Sequence, residues 1–111
     1  MKRIYKTSFD AAHFIKDHPK CGQRHNHQYK LKVTLNSSEE WLDFHVIRER
    51  IEKALADIGI VDHTENWLGH KTCEKLAEDI YRAVLKMCHD LKLNNVKVEL
   101  YETEHFGVEY P

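Results

Sequence analysis

The clearest pattern in the chain is an alternation of apolar and polar residues between positions 25 and 35. Alternation with a period of two puts one set of side chains on each face of a β-strand, so this segment is predicted to be a half-buried strand. A looser alternation from Lys2 to His13 predicts an earlier strand. The inward set of the later strand comprises His25, His27, Tyr29, Leu31, Val33 and Leu35.

Two later segments repeat apolar residues at the spacing of an amphipathic helix. Asp43 and Thr72 precede these segments and are predicted N-caps, and Gly59 is predicted to end the first helix. Each helix should bury one face. The two apolar stripes comprise Phe44, Ile47, Ile51, Ala54, Leu55 and Ile58 in the first, and Leu76, Ala77, Ile80, Ala83, Val84, Met87 and Leu91 in the second.

The C-terminal part of the chain predicts two further strands. Asn94 and Asn95 are typical of a turn, as are residues 36–40 earlier in the chain. Alternation then predicts a strand over 96–102 and a short last strand over 106–110. The order ββααββ predicts an α+β fold, a four-stranded antiparallel sheet with two helices on one face.

Composition limits the class of protein. The 111 residues are expected to form a single domain, 1–111, and 17 basic against 18 acidic side chains give a net charge of -1. That balance argues against a nucleic-acid partner, which favours a basic surface. The sequence shows no signal peptide or membrane span, so a cytoplasmic protein with no membrane partner is expected. A chain this short is expected to form a deep pocket between subunits rather than within one.

Histidine is the unusual component, with nine residues. His25 and His27 lie two apart on a predicted strand, so both imidazoles leave the same face and can share a metal ion. His13, at the end of the first strand, could add a third nitrogen if the two strands pair. Three histidines would leave tetrahedral zinc one open position, as in catalytic sites. In a chain with nine histidines, such a pair also arises by chance.

Cysteine chemistry has more than one interpretation. Cys21 lies four residues before His25, where it could be a fourth metal ligand that makes the site structural, or a reactive thiol of lowered pKa. Cys73 and Cys88 lie on or beside the second helical stripe and are predicted core residues. The chain contains no CxxC motif, and a disulfide framework is not expected.

Three further polar residues are candidates for chemistry. Asp62 and His63 are adjacent between the helices, where they could orient each other beside a cleft or lie in an exposed turn. Glu102 shares a strand face with apolar residues, and burial there requires a partner or ligand. Such a carboxylate can accept two parallel N–H bonds. Alternatively, Glu102 lies at the end of the strand and faces water.

Taken together, these segments resemble the family of 6-pyruvoyltetrahydropterin and 6-carboxytetrahydropterin synthases over nearly the whole chain. The resemblance depends on six ordered blocks. The blocks are 9–13 (FDAAH), Cys21 with 25–29 (HNHQY), 43–44 (DF), 62–63 (DH), 72–77 (TCEKLA) and 101–103 (YET).

The resemblance implies the tunnelling fold, in which sheets from three subunits close a barrel and two barrels stack into a homohexamer. It also implies zinc as cofactor and 7,8-dihydroneopterin triphosphate as substrate, with Cys21 as the base and Glu102 as the anchor of the pterin ring. The site residues implied are His13, His25 and His27 for the metal, Cys21, Asp62 and His63 for catalysis, and Glu102, Thr103 and Thr72 for the substrate.

The activity expected from the resemblance is that of a zinc-dependent 6-carboxy-5,6,7,8-tetrahydropterin synthase, which serves 7-deazaguanine biosynthesis. The alternatives are a 6-pyruvoyltetrahydropterin synthase and, from another class, a non-catalytic zinc-binding domain. Two positions depart from the usual family pattern: Asn26 replaces a glycine between the paired histidines, and Lys71 replaces a proline before Thr72. The segments after Leu35 and after His63 are also shorter than usual.

Overall fold

A computed structural model describes residues 1–16, 22–61 and 65–111. Its four strands form one antiparallel sheet in the order β1-β2-β3-β4, and two helices lie between β2 and β3 in the chain. The predicted element order is therefore confirmed. The elements are β1 (Lys2–His13), β2 (His25–Ser37), α1 (Phe44–Asp57), α2 (Cys73–Met87), a 3-10 turn (His89–Leu91), β3 (Leu93–Tyr101) and β4 (Gly107–Tyr110).

The alternation in β1 and β2 fixes how the two strands pair. Phe9 lies opposite Tyr29, with their rings stacked at a centroid distance of 5.3 Å, and His13 lies opposite His25. A shift of one residue would turn every apolar side chain of a strand to the opposite face, so burial specifies this register strongly. The same register brings the three predicted metal ligands to one end of the sheet.

Both helices pack on the same face of the sheet and bury most of the apolar stripes predicted for them. Asp43 caps α1 by accepting a hydrogen bond of 2.8 Å from the backbone N–H of His45, and Thr72 caps α2 by accepting one of 3.1 Å from Lys75. The core between helices and sheet includes Ile51, Ile80, Leu76, Val33, Val98 and Leu100, all fully buried. No helix in the described residues is long and apolar enough to cross a membrane.

The structure corrects three details at the ends of the elements. Phe44 is 74% exposed rather than part of the core: it is the first residue of α1, and the buried face of the helix begins at Ile47. β2 continues to Ser37 into the segment predicted as a turn. The second helix ends at Met87, and Leu91 lies in the 3-10 turn that follows it.

The start of β3 also differs from the prediction. Asn94 and Asn95 belong to the strand, and Asn95 pairs with Asn36 of β2. The chain turns instead at Lys92, which has a left-handed conformation with φ of 51°. Polar residues at an exposed strand start and residues of a turn have the same composition, so the sequence could not separate them.

The segment before α2 lies beside the end of β1 and runs parallel to it. Ala12 donates a 2.9 Å backbone hydrogen bond to the carbonyl of Asn66 and accepts one of 2.9 Å from Leu68. Phe14 donates another, of 2.9 Å, to Gly69. These bonds hold the chain from 66 to 71 against the strand that carries His13.

Candidate metal centre

Three imidazoles meet at the end of the β1–β2 hairpin. His13 lies directly opposite His25 and diagonally from His27, because the register pairs His27 with Ala11. The ring centroids are 4.5 Å apart for His13 and His25, 5.0 Å for His13 and His27, and 4.7 Å for His25 and His27. The pairing of the strands thus supplies the third nitrogen that the spacing of His25 and His27 left open.

His13 is the buried member of the cluster, with only 1% of its surface exposed. Its Nδ1 lies 2.8 Å from the carbonyl oxygen of Lys71. A carbonyl oxygen can only accept, so Nδ1 carries the ring proton in this contact. The opposite nitrogen, Nε2, is also buried and has no hydrogen-bond partner among the described residues.

His25 has the same orientation at the more exposed side of the cluster. Its Nδ1 lies 2.9 Å from the carbonyl oxygen of Gln23 and donates to it. Both histidines are therefore held through Nδ1, which leaves Nε2 to bind an ion. Metal-binding histidines commonly have this arrangement, in which a backbone carbonyl fixes the tautomer and the direction of the ring.

Glu102 completes the cluster from the residue after β3. The sheet determines where Glu102 lies. Tyr101 pairs with Lys30 of β2, and Glu102 is the residue that follows this pair. The backbone N–H of Glu102 donates a 3.0 Å hydrogen bond to the carbonyl of Phe106. Its Oε1 lies 3.0 Å from Nε2 of His13 and 3.0 Å from Nε2 of His27.

The donor set fits a divalent transition metal. The four side chains offer one ligand atom each, and these atoms all lie within 4.8 Å of one another. Imidazole nitrogen with a carboxylate oxygen suits zinc and similar ions. Burial lowers the pKa of His27, as do the neighbouring His13 and His25, although Glu102 opposes them. A lowered pKa favours the neutral imidazole, the form that binds metal.

The predicted catalytic residues Cys21, Asp62 and His63 lie outside the described residues. Thr72 and Thr103 are described, and each hydroxyl already accepts backbone hydrogen bonds. That of Thr72 caps α2, and that of Thr103 accepts from the N–H groups of His105 and Phe106 at 3.2 and 3.1 Å. Each hydroxyl keeps its own proton for donation to another group.

The two predicted core cysteines are buried. Cys73 and Cys88 are 6% and 1% exposed. Burial raises the pKa of the Cys73 thiol to about 12, with a further contribution from the negative charge of Glu102. A thiol with so high a pKa stays protonated and unreactive at neutral pH.

Two parts of the site were missed by sequence reasoning. One is the carbonyl of Lys71, and a backbone acceptor leaves no mark on side-chain spacing. The other is Tyr29, whose hydroxyl lies 3.4 Å from Nδ1 of His13. Tyr29 was identified only as an apolar strand residue, although its position two residues after His27 on the same face could have indicated the contact.

Fold and site together define a class of protein: an α+β domain with a three-histidine, one-carboxylate cluster at one end of its sheet. A family model described as 6-pyruvoyl tetrahydropterin synthase matches residues 3–111. The chain belongs to this family of tetrahydropterin synthases.

Individual relatives agree with this assignment. A curated protein of Archaeoglobus fulgidus, provisionally named 6-carboxy-5,6,7,8-tetrahydropterin synthase, is 28% identical over 102 residues, which cover 88% of this chain and 84% of the relative. The solved 6-pyruvoyl tetrahydropterin synthase of Caenorhabditis elegans has a TM-score of 0.75 at 18% identity, covering 99% of this chain and 94% of the other. That of Plasmodium falciparum has a TM-score of 0.75 at 12% identity, covering 99% and 96%. The sheet and helices thus form the tunnelling fold, as predicted.

Proposed function

We propose that this protein is a zinc-dependent 6-carboxy-5,6,7,8-tetrahydropterin synthase. Its substrate would be 7,8-dihydroneopterin triphosphate, and its co-products triphosphate and acetaldehyde. The product would enter the biosynthesis of 7-deazaguanine nucleosides such as queuosine and archaeosine. The family match over residues 3–111 supports a tetrahydropterin synthase, and the name of the Archaeoglobus fulgidus relative favours the carboxy branch.

One observation carries the metal part of this proposal. Nε2 of His13 is buried without a hydrogen bond among the described residues, and it lies 3.0 Å from a carboxylate oxygen. A buried nitrogen that faces an acceptor with neither a proton nor a cation between them costs roughly 1–3 kcal/mol. A cation between His13, His25, His27 and Glu102 would remove that cost, so the residues present fit the zinc that the family implies.

The chain's own residues would divide the chemistry among them. When bound, zinc would polarise the hydroxyl groups of the substrate side chain and so lower the cost of removing a carbon-bound proton. Glu102 would accept hydrogen bonds from the amino group and ring N–H of the pterin. Cys21 would remove the proton as a thiolate, with Asp62 and His63 adjusting its charge and carrying protons.

Thr72 and Thr103 would contribute hydroxyl protons to substrate recognition. Each oxygen already accepts from the backbone of its own turn or cap, which fixes the hydroxyl in place. A fixed hydroxyl loses less entropy when it donates to a ligand. This role is compatible with the N-cap role of Thr72 and with the turn that Thr103 closes.

The proposal includes assembly in the cytoplasm as a homohexamer, a dimer of trimers. β1 and β4 are the two edges of the sheet. Among the described residues, backbone hydrogen bonds reach the outer edge of β1 only near its end, at Ala12 and Phe14. Unpaired edges favour pairing with another chain, so a second copy could extend the sheet. The mass of the particle in solution tests this part of the proposal.

The second candidate within the family is 6-pyruvoyltetrahydropterin synthase, the activity named by the family model and by the solved structures of similar fold. The two activities differ in their products. The purified, zinc-loaded protein should be incubated with 7,8-dihydroneopterin triphosphate and the products separated by mass. A 6-carboxy pterin with acetaldehyde supports the proposal, and a pyruvoyl pterin supports the second candidate.

Variants add the necessary controls to this assay. Cys21→Ala should retain zinc and assembly but lose turnover, whereas His27→Ala should lose the metal. Zinc binding without product from any pterin triphosphate would favour a non-catalytic zinc-binding domain. Full activity of Cys21→Ala would show that another group is the base.

A further inference from the structure

The carboxylate of Glu102 contacts the histidine cluster in a way that a pterin anchor alone does not explain. Its Oε1 lies at equal distances of 3.0 Å from Nε2 of His13 and Nε2 of His27. Nδ1 of His13 donates to Lys71, so a neutral His13 presents a lone pair at Nε2. At this distance the nitrogen and the carboxylate oxygen need a positive charge between them, which either a proton on His13 or a metal ion supplies.

The distances match those between ligands of one ion. Tetrahedral zinc with bonds of about 2.0–2.1 Å has its ligand atoms roughly 3.3 Å from one another. The two 3.0 Å separations between Glu102 and the histidines are close to that value, and all four donor atoms lie within 4.8 Å. The cluster therefore offers a fourth candidate ligand atom beside the three imidazole nitrogens.

We propose that Glu102 is the fourth ligand of the metal in the substrate-free protein, and that recognition of the pterin ring transfers this carboxylate from the metal to the N–H groups of the substrate. The proposal rests on the function proposed above. It makes pterin binding and the opening of a metal position a single event, because the oxygen that contacts the histidines belongs to the residue that would anchor the ring.

The backbone around Glu102 allows such an exchange without refolding. The N–H groups of Glu102 and Thr103 both donate to the carbonyl of Phe106, at 3.0 and 3.3 Å, and the Thr103 hydroxyl closes the same turn. The turn is held by its own bonds, so rotation of the Glu102 side chain alone can move the carboxylate. That side chain is 27% exposed, which leaves room for the movement.

Cobalt(II) provides the test, because its visible spectrum reports the number and type of its ligands. The cobalt-loaded protein is compared with Glu102→Gln, and affinity is measured by competition with a chelator. Glu102→Gln should weaken cobalt binding at least about tenfold, since loss of even an outer-shell partner commonly costs 10- to 100-fold. Glu99→Gln is the matched control, because Glu99 lies on β3 three residues before Glu102 but pairs with Lys32 at 3.3 Å on the other face. It should leave affinity and spectrum unchanged.

The exchange is tested by adding 6-methylpterin, which has the pterin ring but no hydroxylated side chain. It should shift the wild-type cobalt spectrum toward that of Glu102→Gln without pterin. If 6-methylpterin left the wild-type cobalt spectrum unchanged, the proposed transfer of the Glu102 carboxylate from the metal to the pterin would be overturned. Equal cobalt affinity and equal spectra for wild type and Glu102→Gln would overturn the ligand role and leave the three-histidine site and the proposed function intact.

Two other results show whether the inference fails alone or together with the proposed function. An intense thiolate band in the wild type that Cys21→Ala abolishes would assign the fourth position to Cys21 and overturn the inference. Failure of the folded wild-type protein to bind cobalt or zinc at all would overturn both the inference and the proposed function. Circular dichroism of each variant shows whether it has folded.

Discussion

Asp79 should affect the metal site although it is two contacts away from it. Its carboxylate lies 2.8 Å from the ammonium group of Lys71, whose carbonyl oxygen accepts the 2.8 Å hydrogen bond from Nδ1 of His13. Asp79 is on α2, so this ion pair ties the segment before the helix to the helix itself. The substitution Asp79→Ala removes the tie and leaves His13 unchanged.

The size of the effect follows from the burial of the pair. The side chains of Lys71 and Asp79 are 25% and 19% exposed, so the bond should exceed the 0–1 kcal/mol typical of a surface pair and approach the roughly 1.5–3 kcal/mol of a charged hydrogen bond. Loss of an outer-shell partner costs about 10- to 100-fold in metal affinity. The lower end is expected, because the N–H of Lys71 also donates a 3.2 Å bond to Leu68.

The assay is zinc affinity by chelator competition together with urea unfolding of the metal-free protein. Glu78→Ala is the control, since Glu78 is one residue earlier on α2 and pairs with Arg82 at 2.9 Å, away from the site. The control should leave zinc affinity unchanged. If Asp79→Ala lost stability but bound zinc as tightly as wild type, the carbonyl of Lys71 would be held by the backbone alone and the reasoning would be refuted.

The pH dependence of the same variant has a definite sign. Burial raises the pKa of Asp79, but hydrogen bonds and charge interactions with Lys71 and Lys75 outweigh it, and the net pKa is lowered. A carboxylate with a lowered pKa stabilises the fold above its unfolded value of about 3.9 and loses that contribution as the pH falls through the folded value. The stability difference between wild type and Asp79→Ala should therefore be full at neutral pH and shrink below about pH 4. A constant difference would indicate lost packing instead of lost charge.

Three further predictions concern packing and reactivity. Ile80→Ala in the fully buried face of α2 should cost about 2–5 kcal/mol in urea unfolding, whereas Leu85→Ala, at a site 40% exposed on the same helix, should cost far less. Gly107→Ala should disrupt the β3–β4 connection beside Glu102, because the new Cβ would lie 2.7 Å from the carbonyl of Leu100; an unchanged melting temperature would contradict this. The Cys73 thiol, whose pKa is raised to about 12, should react with a maleimide only on unfolding; rapid labelling at Cys73 itself in folded Cys21→Ala, located by peptide mass, would show that it is accessible.

Most of the fold could be predicted from periodicity because burial on one face leaves a regular mark. The alternation of β1 and β2 predicted both strands, and the caps Asp43 and Thr72 were found where the helical stripes begin. The predicted start of β3 was wrong because asparagine, which occupies positions 94 and 95, is common both in turns and at exposed strand ends. The pairing of Asn95 with Asn36 decides between a turn and a strand, and local composition does not reveal that pairing.

The site was predictable only in part for a related reason. The spacing of His25 and His27 indicated a shared ion, but the addition of His13 depends on the register of a hairpin. The contact of Glu102 with the histidines depends on the position of β3 beside β2, and the role of Lys71 depends on a carbonyl. These are consequences of long-range packing, which no spacing along the chain records.

Diffraction from crystals of the zinc-loaded protein, measured on both sides of the zinc absorption edge, tests the central claim most directly. We expect one anomalous peak per chain at about 2.0–2.1 Å from Nε2 of each of His13, His25 and His27. An absent peak, or a peak that lies away from any of these three nitrogens, would contradict the claim.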